Sequence, residues 1–316
     1  MGGMKTQAFG AVTVIPGENS SRFPWSSTLF IDDDVKAVID TGAGERPLTE
    51  LKENHRIDMV INSHFHFDHI AYNHLFTDTA ILINEKEAQC YRDRRRIGIL
   101  LGIEEVYGSE EVDRWIRRIS RPESPQSPYS PQNNHKWWMS TSRLDGTYPW
   151  GHIFDFGKTK MHVIGAPGHS EGFCCMYFPE EGVVYVADID LTSFGPWYGG
   201  IDGDIGQFID SCREIAGMDA DTFITGHEAG ILTKEEFQAG LTVFLEKIEE
   251  RDSRILAALT EPATIDDVAG KGLIYGRKFH SDEWVFMWNY LMTKKHIERM
   301  VTLGRALQVD DTYIST

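Results

Sequence analysis

Ser63-His64-Phe65-His66-Phe67-Asp68-His69 places three imidazoles and a carboxylate within six consecutive positions starting at His64. Such density points to metal, because zinc favours imidazole nitrogen and carboxylate oxygen, and hydrolytic sites keep one coordination position open for water. The run before it, residues 57–62 (Ile-Asp-Met-Val-Ile-Asn), is apolar and β-prone, which predicts that the motif sits on a turn just past a strand end. Side chains two apart in an extended step fall on one side, so His64 and His66 can grip one ion. Asp68 and His69, a little further on, can face a second.

One segment supplies too few donors for two ions, so isolated His and Asp residues at later strand ends are the next thing to find. His169 follows the β-like run 160–164 and a Pro167-Gly168 turn. Asp188 follows residues 183–186 (Val-Val-Tyr-Val), a short buried strand by composition. His227 follows residues 222–225 (Thr-Phe-Ile-Thr) and Gly226. Each of the three lies just after an apolar strand.

In this set and order the chain resembles the metallo-β-lactamase-fold hydrolases, nearest in motif to the glyoxalase II and lactonase-like branches. The resemblance implies that His64, His66 and His169 hold one metal, that Asp68, His69 and His227 hold the second, and that Asp188 bridges them. It also implies a supporting aspartate at an early strand end, matched by Asp40 in Val38-Ile39-Asp40-Thr41-Gly42. The implied architecture is α/β (α+β), a four-layer αββα sandwich. Strands interleaved with helices in two successive halves agree with two sheets packed face to face.

With 31 basic and 48 acidic residues among 316, the net charge is −17. Nucleic-acid binders carry a basic face to neutralise phosphates, so this balance argues against RNA or DNA as substrate. Arg92, Arg94, Arg95 and Arg96 read as a solvated helix face because acidic residues surround them. No window approaches the ~18 apolar residues that a membrane span needs. Cys90, Cys174, Cys175 and Cys212 lack framework spacing and read as reduced thiols, which predicts a cytoplasmic protein. The expected partner is a small-molecule substrate, with neither nucleic acid nor membrane, and a homodimer is the candidate assembly.

Strands are expected at 9–15, 28–31, 35–40, 57–62 and 80–83, then at 161–164, 173–178, 183–186 and 222–224. Residues 1–250 are read as the catalytic domain and 251–316 as a C-terminal helical, winged-helix-like extension. Between the halves, about 85–150 is an insertion. Ser109 caps a helix there, with Trp115 and Ile119 on one face, and the proline-rich 122–131 follows. Long loops inside compact domains are usually functional or disordered, so this insertion is expected to form a lid, with Trp137, Trp138 and Trp150 walling the substrate pocket. Trp197 and Tyr198, downstream of Asp188, are further pocket candidates. Past His227, Thr233 and Glu236 form a capping box, Thr264 starts a short helix, and Trp284, Met287, Trp288 and Leu291 mark the core face of a long one. Residues 307–313 read as a final hairpin. The resemblance also implies that Arg277, Lys278 and His280 contact an anionic substrate tail.

The expected activity is metal-dependent hydrolysis of a thioester, lactone or ester by a dizinc centre, with iron or manganese as alternative metals. Two zinc ions lower the pKa of a bound water towards ~7, and Asp68 orients that nucleophile and shuttles its proton. The alternatives on the same fold are a phosphodiesterase or nuclease, and an iron-dependent persulfide dioxygenase.

Overall fold

The computed structural model describes residues 6–119, 143–277 and 282–316. Seven strands follow one another across a first sheet: β1 (Gln7–Phe9), β2 (Val12–Ile15), β3 (Thr28–Ile31), β4 (Ala37–Ile39), β5 (Met59–Asn62), β6 (Ala80–Asn84) and β7 (Gly146–Tyr148). The second sheet contains β8 (Ile153–Asp155), β9 (Lys160–Gly165), β10 (Cys174–Phe178), β11 (Val183–Ala187), β12 (Thr222–Thr225) and β13 (Ile231–Thr233), in the order β13-β12-β11-β10-β9-β8. The run expected as one strand over 9–15 is instead a hairpin, because Gly10, at φ 57°, turns the chain back on itself.

Period-two alternation assigns each strand two faces. Leu29 and Ile31, Ala37 and Ile39, and Ile61 turn into the space between the sheets, where Met161, Val163, Met176 and Tyr185 meet them. Phe30, Val38 and Val60 turn outward against the helix Glu45–Asn54 and the insertion helices Arg94–Leu100 and Ser109–Ile119. The second sheet's outer face is covered by the helices Ile205–Ala216 and Lys234–Ala257 through Phe208, Cys212, Phe237 and Phe244. The resulting α-β-β-α layering is the expected sandwich. With both faces of β3 and β4 covered, every residue in those two strands is buried.

The capping box at Thr233 and Glu236 starts a helix of 24 residues, Lys234–Ala257, which runs through residue 250 without a break. Beyond it, the helices Ile265–Ala269 and Glu283–Thr302 and a hairpin of β14 (Ala306–Val309) and β15 (Thr312–Ser315) surround a small core of Ile255, Leu259, Val268, Ile297, Met300 and Tyr313. The start of Glu283–Thr302 packs Trp284, Met287, Trp288 and Leu291 against the insertion helices. The C-terminal segment is therefore seated on the insertion helices, in the same cluster that covers the outer face of the first sheet. Among the described residues, no helix is long and apolar enough to cross a membrane.

Parallel pairing fixes where the site can form. β4 pairs in parallel with β5, and β11 with β12, so Asp40, Ser63, Asp188 and Gly226 all follow strands that end at one edge of the sandwich. The backbone stitches that edge together: Thr41 N donates to His69 O at 2.7 Å, Ser27 N to Gly226 O at 2.7 Å, and Cys174 N to Ser63 O at 3.1 Å. Gly42 sits at the tightest point. A Cβ there would lie 1.9 Å from Ser26 Oγ and 2.0 Å from Asp68 O, and both are fixed, since Ser26 Oγ donates to that same carbonyl. Gly42→Ala is expected to cost about 3 kcal/mol in denaturant unfolding. A loss below about 1 kcal/mol would mean that the contact is soft.

Candidate metal centre

Seven side chains meet at this edge, all of them expected from the sequence. Their donor atoms form two groups, one of His64, His66, His169 and Asp188, the other of Asp68, His69, Asp188 and His227, with the atoms of each group within 4.8 Å of one another. Asp188 divides its oxygens between the groups. Oδ2 lies 2.9 Å from His169 Nε2 and 3.6 Å from His64 Nε2, while Oδ1 lies 2.7 Å from His69 Nε2 and 3.4 Å from His227 Nε2. Asp68 Oδ2 is 3.2 Å from His227 Nε2.

Outer partners decide which nitrogen of each ring faces inward. His169 Nδ1 donates to Trp197 O at 2.9 Å, and His227 Nδ1 to Ser21 O and Trp25 O, both at 2.9 Å. A carbonyl can only accept, so each Nδ1 donates outward and each Nε2 is the nitrogen that faces the centre. His69 Nδ1 donates to Asp40 Oδ2 at 2.7 Å. Ser63 Oγ spends its proton on Asp40 Oδ2, and so accepts from His64 Nδ1 at 3.0 Å. Buried His64 Nε2 and His66 Nε2 have no hydrogen-bond partner among the described residues, which is costly unless another species uses their lone pairs. This donor set fits two divalent cations.

The electrostatics agree. Burial, reinforced by the neighbouring rings, holds His64 well below the ordinary imidazole range, and burial beside His169 lowers His66 to about 3. Burial also opposes charge on His69, yet Asp188 and Asp40 outweigh it and raise that ring to about 10. Asp188 is held well below the carboxylate range because His69, His169 and His64 outweigh its burial. The second group therefore draws positive charge, while His64 and His66 of the first present neutral nitrogens.

Sequence reasoning missed three supports. Tyr185, on β11, donates its hydroxyl to Asp40 Oδ2 at 2.9 Å, linking the second sheet to the first. Asn73 donates to Asn62 Oδ1 at 2.8 Å and accepts from Thr41 Oγ1 at 2.8 Å, which braces the loop behind the histidines. Glu87, fully buried, accepts from Ser170 Oγ and from Gly172 N, so it clamps the loop that presents His169. A buried Asn or Glu has no local sequence signal that separates it from a surface one. Tyr185 alternates with its neighbours as any strand residue would.

A cavity of about 430 Å³ opens above Asp68, Asp188, His169 and His227. Trp197 lines it, 5.4 Å ring to ring from His169. Tyr198 does not: it is fully buried, accepts from Arg251 Nη1 at 3.0 Å and donates to His296 Nε2 at 2.7 Å. Strand-like alternation along this loop turns one aromatic residue to the cavity and the next to the helices. Arg251 also donates to Pro196 O at 2.6 Å and Phe194 O at 2.5 Å, fastening the segment whose Trp197 carbonyl holds His169. Trp150 is not on the wall either; its ring packs on Gly165 and beneath Lys86 Nζ, 4.6 Å from the centroid. Trp137, Trp138, Lys278 and His280 lie outside the described residues. Arg277 is exposed and donates to Lys271 O, away from the cavity. Among the described residues, the C-terminal segment supplies a further wall, through Ile274, Tyr275, Val285 and Trp288. An apolar helical stripe reads the same whether it faces core or cavity, which is why the sequence shows Trp288 only as a core residue.

The model of the metallo-beta-lactamase superfamily matches residues 22–86 and 151–227. The two stretches contain all seven donors and Asp40, and the interval between them falls within the insertion. Among solved structures, a metallo-beta-lactamase family protein from Thermus thermophilus is similar over 97% of this chain and 99% of its own, at TM-score 0.66 and 18% identity. A beta-lactamase domain protein from Burkholderia ambifaria is similar over 98% and 93%, at TM-score 0.65 and 14% identity. The fold is that of the metallo-β-lactamases. A hydroxyacylglutathione hydrolase of Francisella philomiragia is 32% identical over 74 residues, which span 22% of this chain and 28% of that relative.

Glu87 gives the site a pH signature. Burial raises its carboxyl from 4.5 to about 8, with the Ser170 and Gly172 bonds opposing only in part. A pKa raised in the folded state means that the folded chain holds a proton the unfolded chain has released, so stability falls as pH rises across that interval. In chelator-treated protein, Glu87→Gln is expected to remove this dependence. The melting temperature of the variant should rise relative to the parent between pH 5 and about 8. Parallel melting curves across that range would refute a neutral Glu87.

Proposed function

We propose that this chain, with its metallo-β-lactamase fold, is a dinuclear metal-dependent hydrolase of carbonyl substrates: thioesters, lactones or esters. The observation that carries the reading is Asp188, whose two oxygens each serve one complete donor group at the floor of an apolar cavity. His64, His66 and His169 would hold one divalent ion, Asp68, His69 and His227 the other, and Asp188 both. Ions bound there would supply Lewis acidity and a water of lowered pKa.

The chain's own contribution is orientation and proton transfer. Asp68 Oδ2 lies at the cavity floor beside His227, where it can take a proton from the attacking water and return it to the leaving group. Asp40 and the Trp197, Ser21 and Trp25 carbonyls hold the imidazoles in place, so little reorganisation remains for the reaction itself. The apolar walls keep bulk water from competing. Hydroxyacylglutathione hydrolase, the relative matched over 74 residues, is by name a hydrolase of an acyl conjugate, which supports the carbonyl class over the phosphodiester one. The wall also favours that class, since no Lys or Arg among the described residues lines the cavity to meet a phosphate. Two complete donor groups favour two ions over the single iron of a persulfide dioxygenase.

Metal analysis of the purified protein is expected to give two equivalents of divalent metal, with ester or thioester hydrolysis lost on chelation and regained on zinc addition. One equivalent of iron with oxygen uptake on a persulfide would overturn the reading. Asp68→Asn is expected to lower kcat by at least about 100-fold while the other six donors still retain metal. Unchanged turnover in a metal-loaded Asp68→Asn protein would remove Asp68 from the proton path.

A further inference from the structure

Resting on the hydrolase reading above, we propose that the acyl part of the substrate is an uncharged hydrocarbon chain, and that the site rejects conjugates bearing an anionic handle. Two features of the cavity carry this. Its walls away from the donor groups are apolar on three sides: Phe23 and Phe67 near the metal loop, Phe194 and Trp197 on the segment after Asp188, and Ile274 and Trp288 from the C-terminal segment. Its remaining wall carboxyls are Asp190 and Glu228, and no Lys or Arg among the described residues faces them across the space.

These two features act in opposite directions on two substrate classes. A hydrocarbon chain entering the cavity removes apolar surface from water on both partners, and the gain grows with each methylene. A carboxylate or phosphate seated in this space away from the donor groups loses hydration, meets no Lys or Arg among the described residues, and lies near two carboxylates of like charge. A volume of about 430 Å³ lies within the range of small-molecule sites, large enough for a medium-length chain beside the scissile group. The aromatic walls are also fixed in place. Trp197 Nε1 donates to Tyr275 Oη at 3.0 Å, and the Trp197 ring meets Trp288 edge-on at 5.7 Å. Specificity for the chain is therefore built jointly by the segment after Asp188 and by the C-terminal helix Glu283–Thr302.

The reaction remains a hydrolysis. Water oxygen forms a bond to the carbonyl carbon, the carbon–oxygen or carbon–sulfur bond breaks, one water proton goes to the leaving alcohol or thiol, and a carboxylic acid is released.

The test uses full-length, zinc-reconstituted protein and two substrate series. With p-nitrophenyl acetate, butyrate, hexanoate and octanoate, kcat/KM is expected to rise about two- to fourfold per methylene before levelling off. With hexanoyl thioesters of N-acetylcysteamine, glutathione and coenzyme A, the neutral conjugate is expected to be preferred at least tenfold. Ile274→Lys, which puts a cation on the wall, is expected to raise the ratio of glutathione to N-acetylcysteamine turnover at least fivefold. Should that variant fail to fold, the two wild-type series decide alone. A flat or falling chain-length profile, or preference for the anionic thioesters, overturns this inference and leaves the hydrolase reading intact. Absence of hydrolysis on every carbonyl substrate by metal-loaded protein overturns both.

Discussion

The site depends on one buried carboxylate. Asp40 stands at the end of β4 with φ 55° and no exposure to solvent. It accepts from Ser63 N at 2.7 Å, from Ser63 Oγ at 2.7 Å, from His69 Nδ1 at 2.7 Å and from Tyr185 Oη at 2.9 Å. A buried charge is tolerated only when its lone pairs are met by donors, and here four donors converge from three places: the turn after β5, the metal loop and the second sheet. The demand of one side chain for hydrogen bonds thereby fixes the turn at Ser63, the tautomer of His69 and the approach of β11. Through Ser63 it also fixes the tautomer of His64. The left-handed backbone at Asp40 is uncommon for a residue with a Cβ, and it is held there by this same set of bonds.

Most of this was legible in the sequence because metal ligation leaves a dense local trace. His64, His66, Asp68 and His69 crowd one turn, and His169, Asp188 and His227 each follow a short strand-like run, in an order that set them apart only when taken with the first cluster. The sandwich was legible only through the family resemblance: β3, β4 and β5 read as nearly unbroken apolar runs, which mark strands covered on both faces but do not say how two sheets are layered. What stayed hidden was long-range and chemically plain. Glu87 looks like any helix-start glutamate until burial and its bonds to Ser170 and Gly172 are visible. Tyr185 is one apolar strand residue among five. Tyr198 and Trp197 are adjacent in the sequence, yet one completes a buried network and the other walls the cavity. Their separation follows from backbone direction in an irregular segment, which residue type does not encode.

The C-terminal segment changes what the catalytic half can be. Arg251 and His296 reach from two helices to grip residues 194–198, and Asp252 in turn accepts from His296 Nδ1. A guanidinium buried against three oxygen acceptors makes that grip rigid, since removing either side would leave polar groups unsatisfied. The segment thus supplies a wall of the cavity and also sets the carbonyl on which His169 rests. Helix Lys234–Ala257 carries both duties, covering the second sheet with Phe237 and Phe244 and presenting Arg251 near its other end.

Neither donor group is contained in one half of the chain. Each takes two residues from the first sheet's turn and two from the second sheet's strand ends. A chain emerging from the ribosome therefore exposes His64, His66, Asp68 and His69 long before their partners exist, and can offer a cation only half a coordination shell. Both donor groups are complete only when β11 and β12 close against the first sheet, so the motif alone does not make either of them. The division of donors between halves makes a four-donor cluster a property of the assembled sandwich, which neither sheet carries alone.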